Sequence, residues 1–231
     1  MQNDTNSLLY QSRKEAEKWL TYPIHSVDKK KIKVLLNKKN QEELIESFHK
    51  KLEFGTGGMR GKIGIGTNRI NIYTIGFATQ GLSNYLKQKF ENNISVAIAY
   101  DSRKFSKDFA TQSAIIFSSN NIKSYIFPEL RPTPELSFAV RKLNCNCGIV
   151  ITASHNPKEY NGYKVYWEDG GQITYPHDNK IIYEVNKLNN ICDINTDKNQ
   201  DLIEIISKKI DRSYLNKIKN LSMLNNKESK L

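Results

Sequence analysis

The chain has 231 residues, 38% of them hydrophobic and 26% charged, and carries a formal net charge of +11. At about 100 to 200 residues per domain, this length accommodates one well-buried domain and part of another rather than a complete multidomain enzyme. No apolar stretch approaches the roughly 18 residues of a membrane span, and Met1-Gln2-Asn3-Asp4-Thr5-Asn6 lacks the basic-then-apolar pattern of a signal peptide, so a cytoplasmic protein with no membrane partner is expected.

Over residues 12–20, charged positions alternate with Ala16, Trp19 and Leu20 in a short amphipathic pattern, and Leu44, Ile45, Phe48 and Leu52 recur at helical spacing over 41–52. Residues 1–53 are therefore read as a helical leader packing on the domain that follows. Between these segments, Lys29, Lys30, Lys31, Lys33, Lys38 and Lys39 form one basic run. A concentrated basic face attracts phosphate backbones regardless of sequence. Here no aromatic side chains interleave the run as a stacking platform requires, and the later lysines are mixed with Asp and Glu, so it reads as a solvated helical face and nucleic acid is not an expected partner.

The Gly-rich stretch 55–66 predicts a loop, and 68–72 a hairpin or bulged strand. From residue 73 the pattern alternates: helix 75–90, strand 96–100, helix 106–120, strand 122–127, helix 134–143 and strand 148–151, then strand 161–167 and helix 177–188. Repeats of this kind predict βαβ units and a three-layer α/β/α domain over 54–188, with a mixed, largely parallel sheet. Residues 189–201 are polar and read as a linker; 202–221 read as one or two amphipathic helices, within an incomplete second domain beginning at 202 and running to 231. Cys145, Cys147 and Cys192 cannot all pair and match neither zinc nor Cys-x-x-Cys spacing, so they read as reduced thiols.

The most informative segment is Thr152-Ala153-Ser154-His155-Asn156-Pro157, which follows the apolar run 147–151 and precedes Asn161-Gly162-Tyr163-Lys164. Pro157 disfavours helix at Asn156, so the Ser154 hydroxyl is expected in an irregular loop at the carboxyl end of a buried strand, where open α/β sheets bind ligands. No Gly-x-Ser-x-Gly elbow surrounds Ser154, which leaves a serine-hydrolase reading without support. A phosphoserine reading fits better, because phosphoryl transfer relies on cations and hydrogen-bond donors more than on a triad. His155, Lys164 and Arg60 can supply them. Arg60 follows Gly55, Gly57 and Gly58, a loop whose amides can approach an anion, and neither a dinucleotide fingerprint nor a Walker motif is present. Asn156 and Asn161 read as turn-shaping residues.

These residues resemble the phosphoserine loop of the α-D-phosphohexomutases, the family of phosphoglucomutase and phosphomannomutase. Phe54-Gly55-Thr56-Gly57-Gly58-Met59-Arg60-Gly61, Asn68-Arg69-Ile70-Asn71 and Tyr163-Lys164-Val165-Tyr166-Trp167 resemble most the branch with bacterial phospho-sugar mutases and phosphoglucomutase/phosphopentomutase enzymes, and the likeness runs over 19–177. The resemblance implies the family's first domain, with Ser154 carrying the transferred phosphoryl group and Lys164 contacting that group as general acid or base. It places Arg60 near the phosphoserine and Thr56 in the same substrate-facing loop. His155 is implied to contact phosphate or orient the loop. Asp101 and Arg103 match an Asp-x-Arg that organises the site from behind, with Asn156 shaping the loop, and Arg131-Pro132-Thr133-Pro134 matches a loop before a helix.

The resemblance further implies Mg²⁺ bound through the phosphate on Ser154, and a sugar bisphosphate such as glucose 1,6-bisphosphate as activator. The family's second-domain metal loop, Asp-Gly-Asp-x-Asp-Arg, has no counterpart here; Asp193, Asp197 and Asp201 lack its Gly and Arg and read as solvated surface. The expectation is an amino-terminal portion of a mutase moving phosphate between the 1- and 6-positions of a sugar phosphate. Domains II to IV would lie in the same or a separate polypeptide, and the portion alone would have little activity. A phosphopentomutase of the same family and a non-catalytic phosphosugar-binding fragment are the alternatives.

Overall fold

The computed structural model describes residues 2–39 and 41–222. Three helices open the chain: α1 (Gln2–Thr21), α2 (Ser26–Asn37) and α3 (Glu42–Phe48). They form a small core of their own around Ala16, Trp19, Ile32, Leu35, Leu44 and Phe48, which closes on Ile65 and Tyr73 of the following domain. Trp19 packs edge-on against both Phe48 and Tyr73, so the leader is joined to the domain by aromatic contact. Lys29, Lys30, Lys31 and Lys33 lie on α2, whose inner side is Ile32 and Leu35, and Lys38 and Lys39 follow its end.

Next come β1 (Phe54–Gly55) and β2 (Gly58–Lys62), an antiparallel hairpin inside the stretch predicted as a loop. Glycines at the turn permit it: Gly57 and Gly58 have φ of 85° and 138°. The predicted hairpin at 68–72 is instead a bridge between Ile63 and Ile70 leading into a helix. That helix, α4 (Ile72–Lys89), begins earlier than the apolar pattern indicates because Asn71 caps it, with a reciprocal bond from Asn71 N–H to Thr74 Oγ1.

The alternation then proceeds as β3 (Ser95–Tyr100), α5 (Ser106–Ser119), β4 (Lys123–Ile126), α6 (Thr133–Lys142), β5 (Cys147–Ile151), β6 (Tyr160–Trp167) and α7 (His177–Lys187). Residues 203–205, read from sequence as helix, form β7 (Ile203–Ile205), and α8 (Lys208–Leu221) follows. The seven-stranded sheet has the order β1-β2-β6-β5-β3-β4-β7. Strands β5, β3, β4 and β7 are parallel, and β6 and β2 add antiparallel to their side.

Both faces of the sheet are covered, giving three layers. One core joins Ile98, Ile149, Ile151, Tyr163 and Val165 to Leu82 and Leu86 of α4, Phe117 of α5 and Ile181 of α7. The other joins Ala97, Ala99, Val150 and Tyr166 to Leu136 and Val140 of α6 and Ile210 of α8. The alternation of these residues between the two cores follows the period of the strand. Of the segment 202–231, the described part contributes β7 to the sheet and α8 to the α6 layer; 223–231 lie outside the described residues. No described helix is long and apolar enough to cross a membrane.

Candidate active site

Strand β5 delivers the chain to the carboxyl edge of the parallel strands, where Ser154 turns it sharply. Ser154 has φ 55°, a left-handed conformation that is uncommon for a residue with a Cβ. Its N–H donates to Thr152 Oγ1 at 3.0 Å, and its side chain is exposed. The turn breaks the alternation that would point neighbouring side chains apart: His155 Nδ1 lies 3.4 Å from Ser154 Oγ.

Arg103 holds this loop from behind. Its guanidinium donates to the carbonyls of Ser154 (2.8 Å), Asn156 (2.6 Å), Pro157 (2.8 Å) and Tyr160 (3.0 Å). Asp101 supports it through an ion pair at 3.5 Å and accepts from Arg103 N–H and Ser106 Oγ at 2.9 and 2.7 Å. Buried Asn161 donates to Ser106 Oγ and to the Lys104 carbonyl, so β6, the loop after β3 and the serine loop share one hydrogen-bond network. Arg103 thus commits its charge to backbone carbonyls, a use that the spacing of Asp101 and Arg103 alone did not specify.

The other cations arrive on one face of the sheet. Arg60 pairs across strands with Gly162, and Lys164 with Gly58 and Val150. Met59, Tyr163 and Val165 face the α4 core, so alternation puts Arg60 and Lys164 together on the opposite face. Arg60 Nη1 donates to Asn156 Oδ1 at 2.6 Å, which ties it to the serine loop. The half-buried Lys164 ammonium has no hydrogen-bond or ion-pair partner among the described residues. Thr56 is exposed in the β1–β2 turn, and that turn is fixed beside Lys164 by the bond from Val165 N–H to the Gly57 carbonyl.

Two glycines make the close approach of these strands possible. A Cβ on Gly58 would lie 1.9 Å from the Tyr163 carbonyl oxygen. One on Gly162 would lie 2.7 Å from the Thr152 oxygen and 2.8 Å from that of Met59. The backbones carrying Ser154, Arg60 and Lys164 therefore meet where side chains are excluded.

Ser154 opens into a cavity of about 820 Å³ lined by Ile63, Asp101, Ser102, Arg103, Lys104, Asn156, Lys158 and Glu159. Lys104 and Lys158 were not singled out from the sequence. Each adjoins motif residues without belonging to a motif: Lys158 comes four residues after Ser154 in the same loop, and the fold brings Lys104, next to Arg103, to the serine. Among the described residues no three His, Cys, Asp or Glu side chains are grouped to hold a metal ion. Asp193, Asp197 and Asp201 are exposed, and Asp193 accepts from the N–H groups of Asn189 and Asn190. These residues alone do not fit a Mg²⁺ ion.

Residues 51–191 match the family model for phosphoglucomutase/phosphomannomutase, alpha/beta/alpha domain I. A phosphoglucomutase of Staphylococcus haemolyticus is 44% identical over 180 residues, covering 76% of this chain and 33% of that protein. A human phosphopentomutase is 41% identical over 175 residues, covering 72% and 29% respectively. Among solved structures, one from Thermus thermophilus, provisionally named a phosphomannomutase, superposes with a TM-score of 0.64 at 25% identity, over 74% of this chain and 36% of that one. The chain spans about a third of the length of such relatives. With the family model matched across the sheet and the serine loop, the chain belongs to the phosphoglucomutase/phosphomannomutase family and carries its first domain.

Proposed function

We propose that this chain is the phosphoserine-bearing part of a mutase that moves a phosphoryl group between the 1- and 6-positions of a sugar phosphate by way of a sugar bisphosphate. The observation that carries the reading is the exposed Ser154 hydroxyl, fixed in a left-handed turn by the Arg103 clamp at the sheet's carboxyl edge, with Arg60 bonded to Asn156 of the same loop and Lys164 on the sheet face that Arg60 occupies.

In the proposed transfer, a sugar hydroxyl oxygen bonds to phosphorus as the bond from phosphorus to Ser154 Oγ breaks. The hydroxyl gives up its proton and Ser154 Oγ recovers one. Lys164, free of partners among the described residues, is assigned to proton handling, and His155, whose Nδ1 lies 3.4 Å from Ser154 Oγ, is assigned to return a proton to the serine oxygen. Arg60 and Thr56 steady the substrate side of the site. The bisphosphate then reorients and returns its other phosphoryl group to Ser154. Mg²⁺ belongs to the proposal only as an ion whose donors, apart from the Ser154 phosphate, come from outside these residues.

The remaining domains, in the same or a separate polypeptide, complete the enzyme in this proposal, and the 231-residue chain alone turns over little substrate. The test is the polypeptide from its native source. Mass mapping is expected to find phosphate on Ser154, and in the complete enzyme Ser154→Ala is expected to abolish turnover of glucose 1-phosphate while leaving the fold intact. Turnover retained by S154A overturns the assignment. The similarity to a phosphopentomutase supports a second reading, distinguished by comparing kcat/KM for ribose 1-phosphate and glucose 1-phosphate.

A further inference from the structure

Two lysines at the cavity remain outside the chemistry above. Lys104 follows the Asp101–Arg103 clamp and Lys158 follows Pro157; both are exposed, and both line the cavity into which Ser154 opens. Neither has a carboxylate within ion-pair distance or any hydrogen bond from its ammonium among the described residues. The Lys104 ammonium sits 5.0 Å above the ring of Phe105, a contact that holds its position without neutralising it. Phe105 itself has φ 64°, a conformation costly for a bulky side chain, and α5 starts at this point with no side-chain cap.

The other charges facing the cavity do not answer these two. Asp101 is engaged with Arg103 and Ser106, and Arg103 with loop carbonyls. Glu159 makes no ion pair with Lys158, its chain neighbour, or with Lys104. Elsewhere on the molecule cations near carboxylates form pairs, as Lys31 does with Asp28 and Lys187 with Glu184. With Asp101 and Arg103 offsetting each other, Lys104 and Lys158 outweigh the single carboxylate of Glu159, and the net positive potential left at the cavity is one that a polyvalent anion relieves.

We propose that Lys104 and Lys158 form an anion subsite at the mouth of the Ser154 cavity that takes a phosphate monoester dianion. The inference rests on the mutase reading for the role of that anion, a sugar phosphate being drawn toward Ser154. The same chemistry has two sources, a free phosphate monoester and the phosphate on Ser154 itself.

The 231-residue chain, unphosphorylated, is titrated with inorganic phosphate and with glucose 6-phosphate by calorimetry at low salt. Binding is expected for both, weakened about tenfold in Lys104→Gln/Lys158→Gln, the scale of losing charge-assisted contacts. Affinity falls as salt rises. The charge-matched control Lys217→Gln/Lys219→Gln, exposed on α8, is expected to bind as wild type does. Circular dichroism checks that each variant is folded. Equal binding by wild type and K104Q/K158Q, an equal loss in the α8 control, or no binding by wild type overturns the proposal. Repeating the titration on chain phosphorylated at Ser154 identifies the source: retained binding marks a free ester as occupant, and lost binding marks the phosphoserine. Failure to find phosphate on Ser154 refutes the mutase reading and leaves this titration untouched; a flat titration does the reverse.

Discussion

Arg103 carries four loop carbonyls on one planar group, and that geometry decides how far it can be replaced. A lysine keeps the charge but presents a point cation that cannot fork between these oxygens. Arg103→Lys is therefore expected to cost about 1 to 3 kcal/mol and to raise amide hydrogen exchange across 154–160 before it does so in β3 or β5. Loop exchange unchanged from wild type would sink the clamp. Much at this scale was legible in the sequence: a buried strand, then Ser154, then Pro157 marks an irregular turn by local chemistry alone. The ring of His155 was not, because a strand's alternation places it away from Ser154, and only the left-handed φ of Ser154 brings the two within 3.4 Å. The requirement for glycine at 162 was equally hidden, since the oxygens that exclude a Cβ come from Thr152 and Met59, far from it in the chain.

Elements were legible where period and length agreed, and were missed where a tertiary partner chose. Ile203-Glu204-Ile205 has an apolar-polar-apolar pattern too short to distinguish strand from helix, and its pairing with Ser124, Tyr125 and Ile126 of β4 settles it. The hairpin β1–β2 hid behind its glycines, which signal a loop but here allow a tight turn. At α4 the missed signal was Asn71, whose Oδ1 accepts from Tyr73 and Thr74 N–H while its Nδ2 donates to the Gly64 and Gly66 carbonyls. One side chain thus caps the helix and fixes the segment after β2. Asn71→Ala is expected to destabilise the chain by about 1 to 2 kcal/mol from the cap alone, and by more once the two carbonyls lose their donor. A urea midpoint equal to wild type would show that the helix start does not depend on this residue.

At the scale of the whole molecule, the serine loop shares the carboxyl edge of the parallel strands with an acid pair that fastens α8 to α6, Glu135 buried and Asp211 partly exposed. Arg131 N–H donates to the Tyr100 carbonyl, and its guanidinium forks onto Asp211 of α8 at 3.2 and 2.7 Å. Glu135 on α6 is buried and hydrogen-bonded to Asp211, while Ile210 and Tyr214 of α8 pack on the α6 layer, Tyr214 against Phe138. The groups facing Glu135 and Asp211 are Arg131, with Glu129 near it, and Lys208 of α8. Burial, and then Asp211, push the Glu135 carboxyl up from 4.5 to about 7, whereas the Arg131 hydrogen bonds hold Asp211 below its ordinary range. Below about 7 the proton is therefore held by Glu135 rather than by Asp211. The unfolded chain releases this proton near 4.5 and the folded chain only near 7, so the folded state binds more protons in between and stability falls as pH rises through that window. Below it the contribution of Glu135 is complete, and above it the contribution is gone. Raising the pH from 5 to 8 is expected to lower the urea midpoint and to speed amide exchange in α8 more than in β3 or β5. Glu135→Gln, which keeps a donor toward Asp211 but cannot titrate, should flatten both responses. An unchanged pH slope in E135Q would place the dependence elsewhere and leave α8 held by its apolar contacts and the Arg131–Asp211 pair alone.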